Sequence, residues 1–157
     1  YKVTGVAYQL GISKITVQSL PDRPGIAANL FEPLANVGIS VDTIVQNASQ
    51  DKTTDISFTV ATSDLERTLG QVLPLAENIG ASGVVNDDGL SCVSIVGSGM
   101  QNSPGYASHM FRILADGEVN IDMITTSEIR ISCIIKEEQV LDAVRLLHTG
   151  FGLDQDG

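Results

Sequence analysis

The segment from Arg23 to Ile44, "RPGIAANLFEPLANVGISVDTI", returns in altered form from Ser103 to Ile124 as "SPGYASHMFRILADGEVNIDMI". Pro24 aligns with Pro104, Gly25 with Gly105, Ala27 with Ala107 and Phe31 with Phe111. Leu34 meets Leu114, Ala35 meets Ala115, Asp42 meets Asp122 and Ile44 meets Ile124, all without a gap. A repeat of this length marks one supersecondary unit copied in tandem, so both copies must take the same fold. A chain of 157 residues then holds two small units. Units of roughly 70 residues bury a modest share of their surface. An interface with each other, or across a dimer, is therefore expected.

Each copy reads the same way. An alternating β-branched run opens it, "KITVQSL" in the first and "CVSIVGS" in the second. Pro-Gly follows, then a helix with apolar residues at 26, 27, 30, 31, 34 and 37, matched by 106, 107, 110, 111, 114 and 115. That spacing turns one face toward a core. Pro33 lies deep in the first helix, where it lacks an N–H and its ring clashes one turn back, so a kink or an early end is expected. Strands "ISVDTIVQN" and "VNIDMITT" come next, with hairpin partners "TTDISFTV" and "EIRISCII". The closing helices are "SDLERTLGQVLPLAENI", which carries Gly70 and Pro74, and "KEEQVLDAVRLLHTG", with apolar spacing through Val140, Leu141, Val144 and Leu147.

The strand count is uneven. The first copy ends on one more strand, "ASGVVND", whereas the second ends on the Gly- and Asp-rich "FGLDQDG". A further strand, "KVTGVAYQL", opens the chain unassigned. The expectation is an α+β chain of two ferredoxin-like βαββαβ units with antiparallel four-stranded sheets. Residues 13–88 would form the first unit, and residues 89–150 plus 2–9 the second. The N-terminal strand would complete the second sheet and cover an open edge, which is otherwise an aggregation liability.

Composition narrows the function classes. The net charge of −10 argues against nucleic acid, whose phosphates need clustered Lys and Arg, and against an anionic membrane surface. An RNA-binding module of the same strand order would need stacking aromatics and a basic surface. No apolar run reaches the roughly 20 residues of a membrane span, and no signal peptide opens the sequence. Cytoplasm is the default compartment, although the chain starts at Tyr1, not Met, which leaves room for an upstream portion. Cys92 and Cys133 sit in apolar strand-like runs and are expected to be buried structural thiols. His109 and His148 lie far apart with no Cys or Asp at ligand spacing, so solvated helix faces are expected and no metal site. "GSGM" (97–100) lacks the Gly-Lys-Ser/Thr ending of a phosphate loop. No Ser-His-Asp or Cys-His arrangement supports catalysis.

Two βαββαβ units with this Pro-Gly junction resemble paired ACT domains, the small-molecule sensing modules of amino-acid metabolism. More narrowly, "VDTIVQNAS", "TTDISFT", "SIVGSGM", "NSPG", "VNIDMITTSEIRIS" and the final "LH" resemble the regulatory region of aspartate kinases. "TSEIRIS" after "VNIDMI" is the most specific segment, and the resemblance covers nearly the whole chain. It implies an allosteric part that is catalytically silent and carries no cofactor. The kinase part would be N-terminal or a separate subunit, would use ATP and Mg, and would phosphorylate aspartate at the head of the lysine, threonine and methionine pathway. Implied partners are threonine, lysine, that catalytic domain or subunit, and a second copy joined through ACT–ACT pairing. The alternative is a tandem ACT sensor that regulates a different enzyme or a transcriptional repressor.

A helix N-terminus offers unpaired N–H groups and partial positive charge to a carboxylate. Gly25 permits close approach to the backbone, Pro24 stiffens the turn, and Asp22 can accept from an α-ammonium. Alone, such a junction is usually only a turn; its duplication and the family resemblance favour an effector loop. By that resemblance, a threonine-like site would use Asp22, Pro24, Gly25, Ile26, Ala27 and Gln46, with Asn120 and Ile121 from the facing unit. The second site would use Met100, Ser103, Gly105, Tyr106 and Ala107, facing Ser40, Val41 and Asp42, with Ser127 and Glu128 nearby. Lysine would occupy it, with Asp42 or Glu128 toward its ε-ammonium; a solvated strand-end or cap role is the competing reading for both carboxylates. Ala107 stands where relatives often carry a hydroxyl, and His109 where they often carry an acid.

Overall fold

The structure is a computed structural model, which describes residues 3–49, 51–100 and 104–153. Its elements in chain order are β1 (Val3–Pro21), α1 (Ile26–Asn36), β2 (Ile44–Ala48), β3 (Thr53–Ala61), α2 (Leu65–Ile79) and β4 (Gly83–Gly97). Then follow α3 (Pro104–Asp116), β5 (Met123–Thr126), β6 (Arg130–Lys136) and α4 (Val140–Gly150). The chain divides into two units, one of Gly11–Asp88 and one of Tyr1–Leu10 with Gly89–Gly157. We call them the first-copy and second-copy units.

In the first-copy unit the sheet order is β2-β3-β1-β4, and α1 and α2 cover one face. Ile15 faces Phe58 and Val17 faces Ile56 across the antiparallel β1–β3 ladder, all four fully buried. From α1, Ile26, Leu30 and Leu34 pack onto them, and Phe31 sets its ring edge against Phe58 at 5.2 Å. Sealing a leucine such as Leu34 from water contributes about 1.5–3 kcal/mol.

The second-copy unit repeats this plan with the order β1-β4-β6-β5. Residues 3–10 of β1 supply its fourth strand, and Thr4 Oγ1 donates to the Val96 carbonyl of β4 at 3.3 Å. Val93, Ile95, Ile131, Cys133 and Ile135 meet Met110, Leu114, Ala143 and Leu147 from the helices. The burial of residues 31–40 is matched letter for letter by residues 111–120. This is the packing signature of one pattern used twice.

Several expectations are corrected. The opening strand and "KITVQSL" are one strand, and "ASGVVND" joins "CVSIVGS" as another. The strand pattern runs on through Gly11 and Gly89, both at positive φ, so alternation alone does not locate the unit boundary. α1 does not stop at Pro33; it runs three residues further to Asn36, where Gly38 at φ 77 turns the chain. The expected helix α2 is present and contains Gly70 and Pro74. Leu141 is 65% exposed, and Ala143 takes the buried position on α4. The strands after α1 and α3 start only at Ile44 and Met123.

Candidate functional site

The first junction is shaped before the Pro-Gly turn begins. Between Val17 and Leu20 the β1–β3 register slips at a bulge, and Ser19 sits at φ 56 with its N–H donating to Asp55 Oδ1 at 2.8 Å. A bulge bends its strand and re-aims the residues that follow. Leu20 is driven into the core and Asp22 onto the surface. Asp22 N–H donates to the Lys52 carbonyl at 2.9 Å, which ties the loop to the β2–β3 turn. That turn is held by Asp51, which accepts from Ser49 and from Thr53 Oγ1. These two hydrogen bonds, Ser49 first, hold the Asp51 carboxyl below its usual range.

Gly25 then takes φ 89, and α1 begins at Ile26 with no side-chain cap. Asn29 N–H closes the first turn on the Gly25 carbonyl at 2.9 Å, and Ile26 N–H turns back to Arg23 at 3.3 Å. First-turn N–H groups lack intrahelical acceptors. With no capping side chain, α1 presents donors and positive dipole beside the exposed Asp22.

The second junction repeats the left-handed residue and the backbone tether, while its β4–β6 ladder runs without a register shift. Gly99, equivalent to Ser19, has φ 68, and Met100, equivalent to Leu20, is buried in the core. Gly97 N–H donates to Ile129 at 2.8 Å and Met100 N–H to Glu128 at 2.9 Å, which anchors the loop to the β5–β6 turn. Ser127 builds that turn by accepting from Arg130 N–H at 3.2 Å and Ile129 N–H at 3.4 Å. The helix here starts at Pro104, with Gly105 inside it.

The first-copy unit brings Asp22, Pro24, Gly25, Ile26 and Ala27 together at the α1 start. Ile26 is sealed in the core, so only its backbone faces the loop. Gln46 stands on the edge strand β2 opposite Ile56, which puts it on the helix-covered face, exposed. Asn120 and Ile121 belong to the other unit, in the segment before β5. The second set is divided likewise. Met100, Gly105, Tyr106, Ala107, Ser127 and Glu128 are in the second-copy unit, and Ser40, Val41 and Asp42 precede β2 in the first. Ser103 lies outside the described residues. Neither set is complete within one unit.

Sequence reading missed the bulge at Ser19 and the two tethering turns. Gly99 was a possible signal, but Ser19 carries none, because a serine at positive φ is uncommon and nothing in its neighbours announces it. The Ser-Gln-Asp-Lys-Thr cluster does carry turn chemistry.

Other chemistry is sparse. Cys133 is buried and its thiol is pushed up to about 12, by burial first and by the neighbouring Cys92 second. Cys92 is only half-buried, against expectation. His109 is not on a solvated face: it is half-buried, its Nε2–H donates to the Gly150 carbonyl at 2.9 Å, and its ring meets Phe151 at 4.7 Å. Among the described residues no cluster of three His, Cys, Asp or Glu is placed to hold a metal ion, and no helix is long and apolar enough to cross a membrane.

Known proteins show the same pattern. The ACT domain profile matches residues 15–72 and 93–151. The aspartokinase of Pseudomonas aeruginosa is 43% identical over 97% of this chain, and that of Mycolicibacterium smegmatis 42% over 98%. The chain spans 37% of the length of these relatives. Among solved structures, the ligand-free regulatory subunit of aspartate kinase from Thermus thermophilus superposes with a TM-score of 0.90. It is 38% identical, with 96% of this chain and 99% of that one covered. A structure of aspartokinase alpha and beta subunits has a TM-score of 0.88 at 41% identity, over 96% and 99% of the two chains.

Proposed function

The chain belongs to the ACT-domain family, among the regulatory regions of aspartate kinases, and from that premise we propose that it is an effector-binding module for feedback control of such a kinase. The duplicated strand–Pro-Gly–helix junction carries this reading. Threonine binds at the first junction: its carboxylate meets the uncapped start of α1, and its ammonium meets Asp22. Gln46 orients the ligand from β2, and Asn120 and Ile121 close the site from the partner chain's second-copy unit. Lysine occupies the pseudo-equivalent site around Met100, Ser103, Gly105, Tyr106 and Ala107. Ser40, Val41 and Asp42 face it, with Ser127 and Glu128 alongside. Because each set is split between units, complete sites require pairing of unlike copies in a homodimer.

An effector inhibits only by preferring the inactive arrangement, with a coupling of about 1–3 kcal/mol. The kinase chemistry, with its ATP and Mg, belongs to a catalytic domain or subunit outside this chain, and the assembly works in the cytoplasm. The test of the first site is a threonine titration of Gln46→Ala beside the unaltered chain. Affinity is expected to fall roughly tenfold, as for one lost ligand hydrogen bond. Unchanged affinity removes Gln46 from the site.

A further inference from the structure

We infer that Glu32 and Arg112 select which units pair: their charges make a first-copy unit of one chain dock on a second-copy unit of another and reject its own kind. This rests on the homodimer reading above and names the residues that decide its pairing. The two side chains stand at equivalent positions of the repeat, each in the middle of an exposed stripe on its helix. On α1 Glu32 lies between Ala28 and Ala35, and on α3 Arg112 lies between Ser108 and Ala115, all exposed. A shallow depression of about 450 Å³ lies along the α3 stripe, lined by Ser108, Phe111, Arg112 and Ala115.

Each unit also carries uncovered apolar surface on its edge strand. Ile44 of β2 and Ile124 of β5 are 52% and 45% exposed, and both pair with core-facing residues, Phe58 and Cys133. Each unit thus presents a small-residue helix stripe and an uncovered isoleucine on an unpaired strand edge. An unpaired edge beside apolar surface is a ready docking surface.

Two copies of one surface meeting about a local twofold place equivalent positions opposite each other at the axis. Position 32 then meets position 112 of the partner when unlike units pair, an opposite-charge contact made twice per dimer. Pairing of like units would set Glu32 against Glu32 or Arg112 against Arg112, and such like-charge contacts suppress wrong partners. Arg112 already has a neighbour, Asp116 at 3.6 Å, but both side chains are about 70% exposed. A loose exposed pair of that kind contributes little and leaves Arg112 available.

The test is sedimentation of Glu32→Arg, Arg112→Glu, the double exchange, and an equimolar mixture of the two single variants. Circular dichroism melting checks that each variant folds. Each single variant is expected to dimerise at least tenfold more weakly than the unaltered chain. The double exchange is expected to recover to within about threefold, and the mixture to form a heterodimer, because both contacts are then complementary. Full-strength dimers from folded single variants, or failure of both the exchange and the mixture to recover, overturn the inference while the dimer stands. An unaltered chain that stays monomeric at every concentration overturns the dimer reading and this inference with it.

Discussion

The first copy keeps Pro24 and Gly25 outside its helix, whereas the second draws Pro104 and Gly105 into it. α1 and α3 nevertheless finish at equivalent residues, Asn36 and Asp116, and share one burial pattern from Leu30 and Met110 onward. The difference lies at the start alone. Pro at the first helical position is pre-organised and wastes no hydrogen bond, which suits Pro104. In the first copy Gly25 at φ 89 breaks that continuity and leaves two residues as loop. Equal sequence signals therefore deliver helix N-termini that differ by two residues in where their donors begin. The proposed amino-acid ligands would therefore meet differently placed donors at the two junctions.

The largest test of the equivalence is in the cores. Leu34→Ala and Leu114→Ala remove equivalent, fully buried side chains, and each is expected to cost about 2–5 kcal/mol in urea unfolding. A cost in one copy only would break the comparison. The junctions should respond with opposite signs. Gly25→Ala forces a Cβ into the left-handed region and should cost about 1–2 kcal/mol. Gly105→Ala sits in a helix with open space around it and should gain about 0.5–1 kcal/mol. Equal effects would show that the two starts are alike in solution.

A smaller test uses pH. Cys133 occupies the second copy's equivalent of Phe58, so a titrating thiol stands in one core and a ring in the other. The thiol titrates near 9 when unperturbed and at about 12 in the fold. Between those values the folded chain keeps a proton that the unfolded chain releases, so stability falls as pH rises, by at most about 1.4 kcal/mol per pH unit. Below pH 9 the group has no effect. Cys133→Val should remove this slope in unfolding curves taken from pH 8 to 11; a slope that persists belongs to other groups.

The duplication, both helix pairs and the hairpins were legible because each rests on local period and on residues such as Pro-Gly that restrict the backbone. Strand lengths were not. β1 and β4 continue through glycines that also resemble turn signals, and pattern alone does not distinguish a bend from an end. Pro33 does not end α1, because the fully buried Leu30 and Leu34 outweigh one missing donor. The environment of His109 depends on Gly150 and Phe151, 41 and 42 residues away, which no local pattern records. For the candidate sites, the Pro-Gly junctions were readable, but the bulge at Ser19 and the tether from Lys52 arise from pairing across strands. The different starts of α1 and α3 were hidden behind identical dipeptides.

The central claim is that these two junctions are effector sites of different preference. Isothermal titration of the unaltered chain with threonine, then with lysine, tests it most directly. Saturable heat is predicted from threonine at one per chain, with lysine adding a separate binding event that does not compete. No heat from either, with no shift in melting temperature, would contradict the account; mutual competition for one site would contradict the division of labour between the copies.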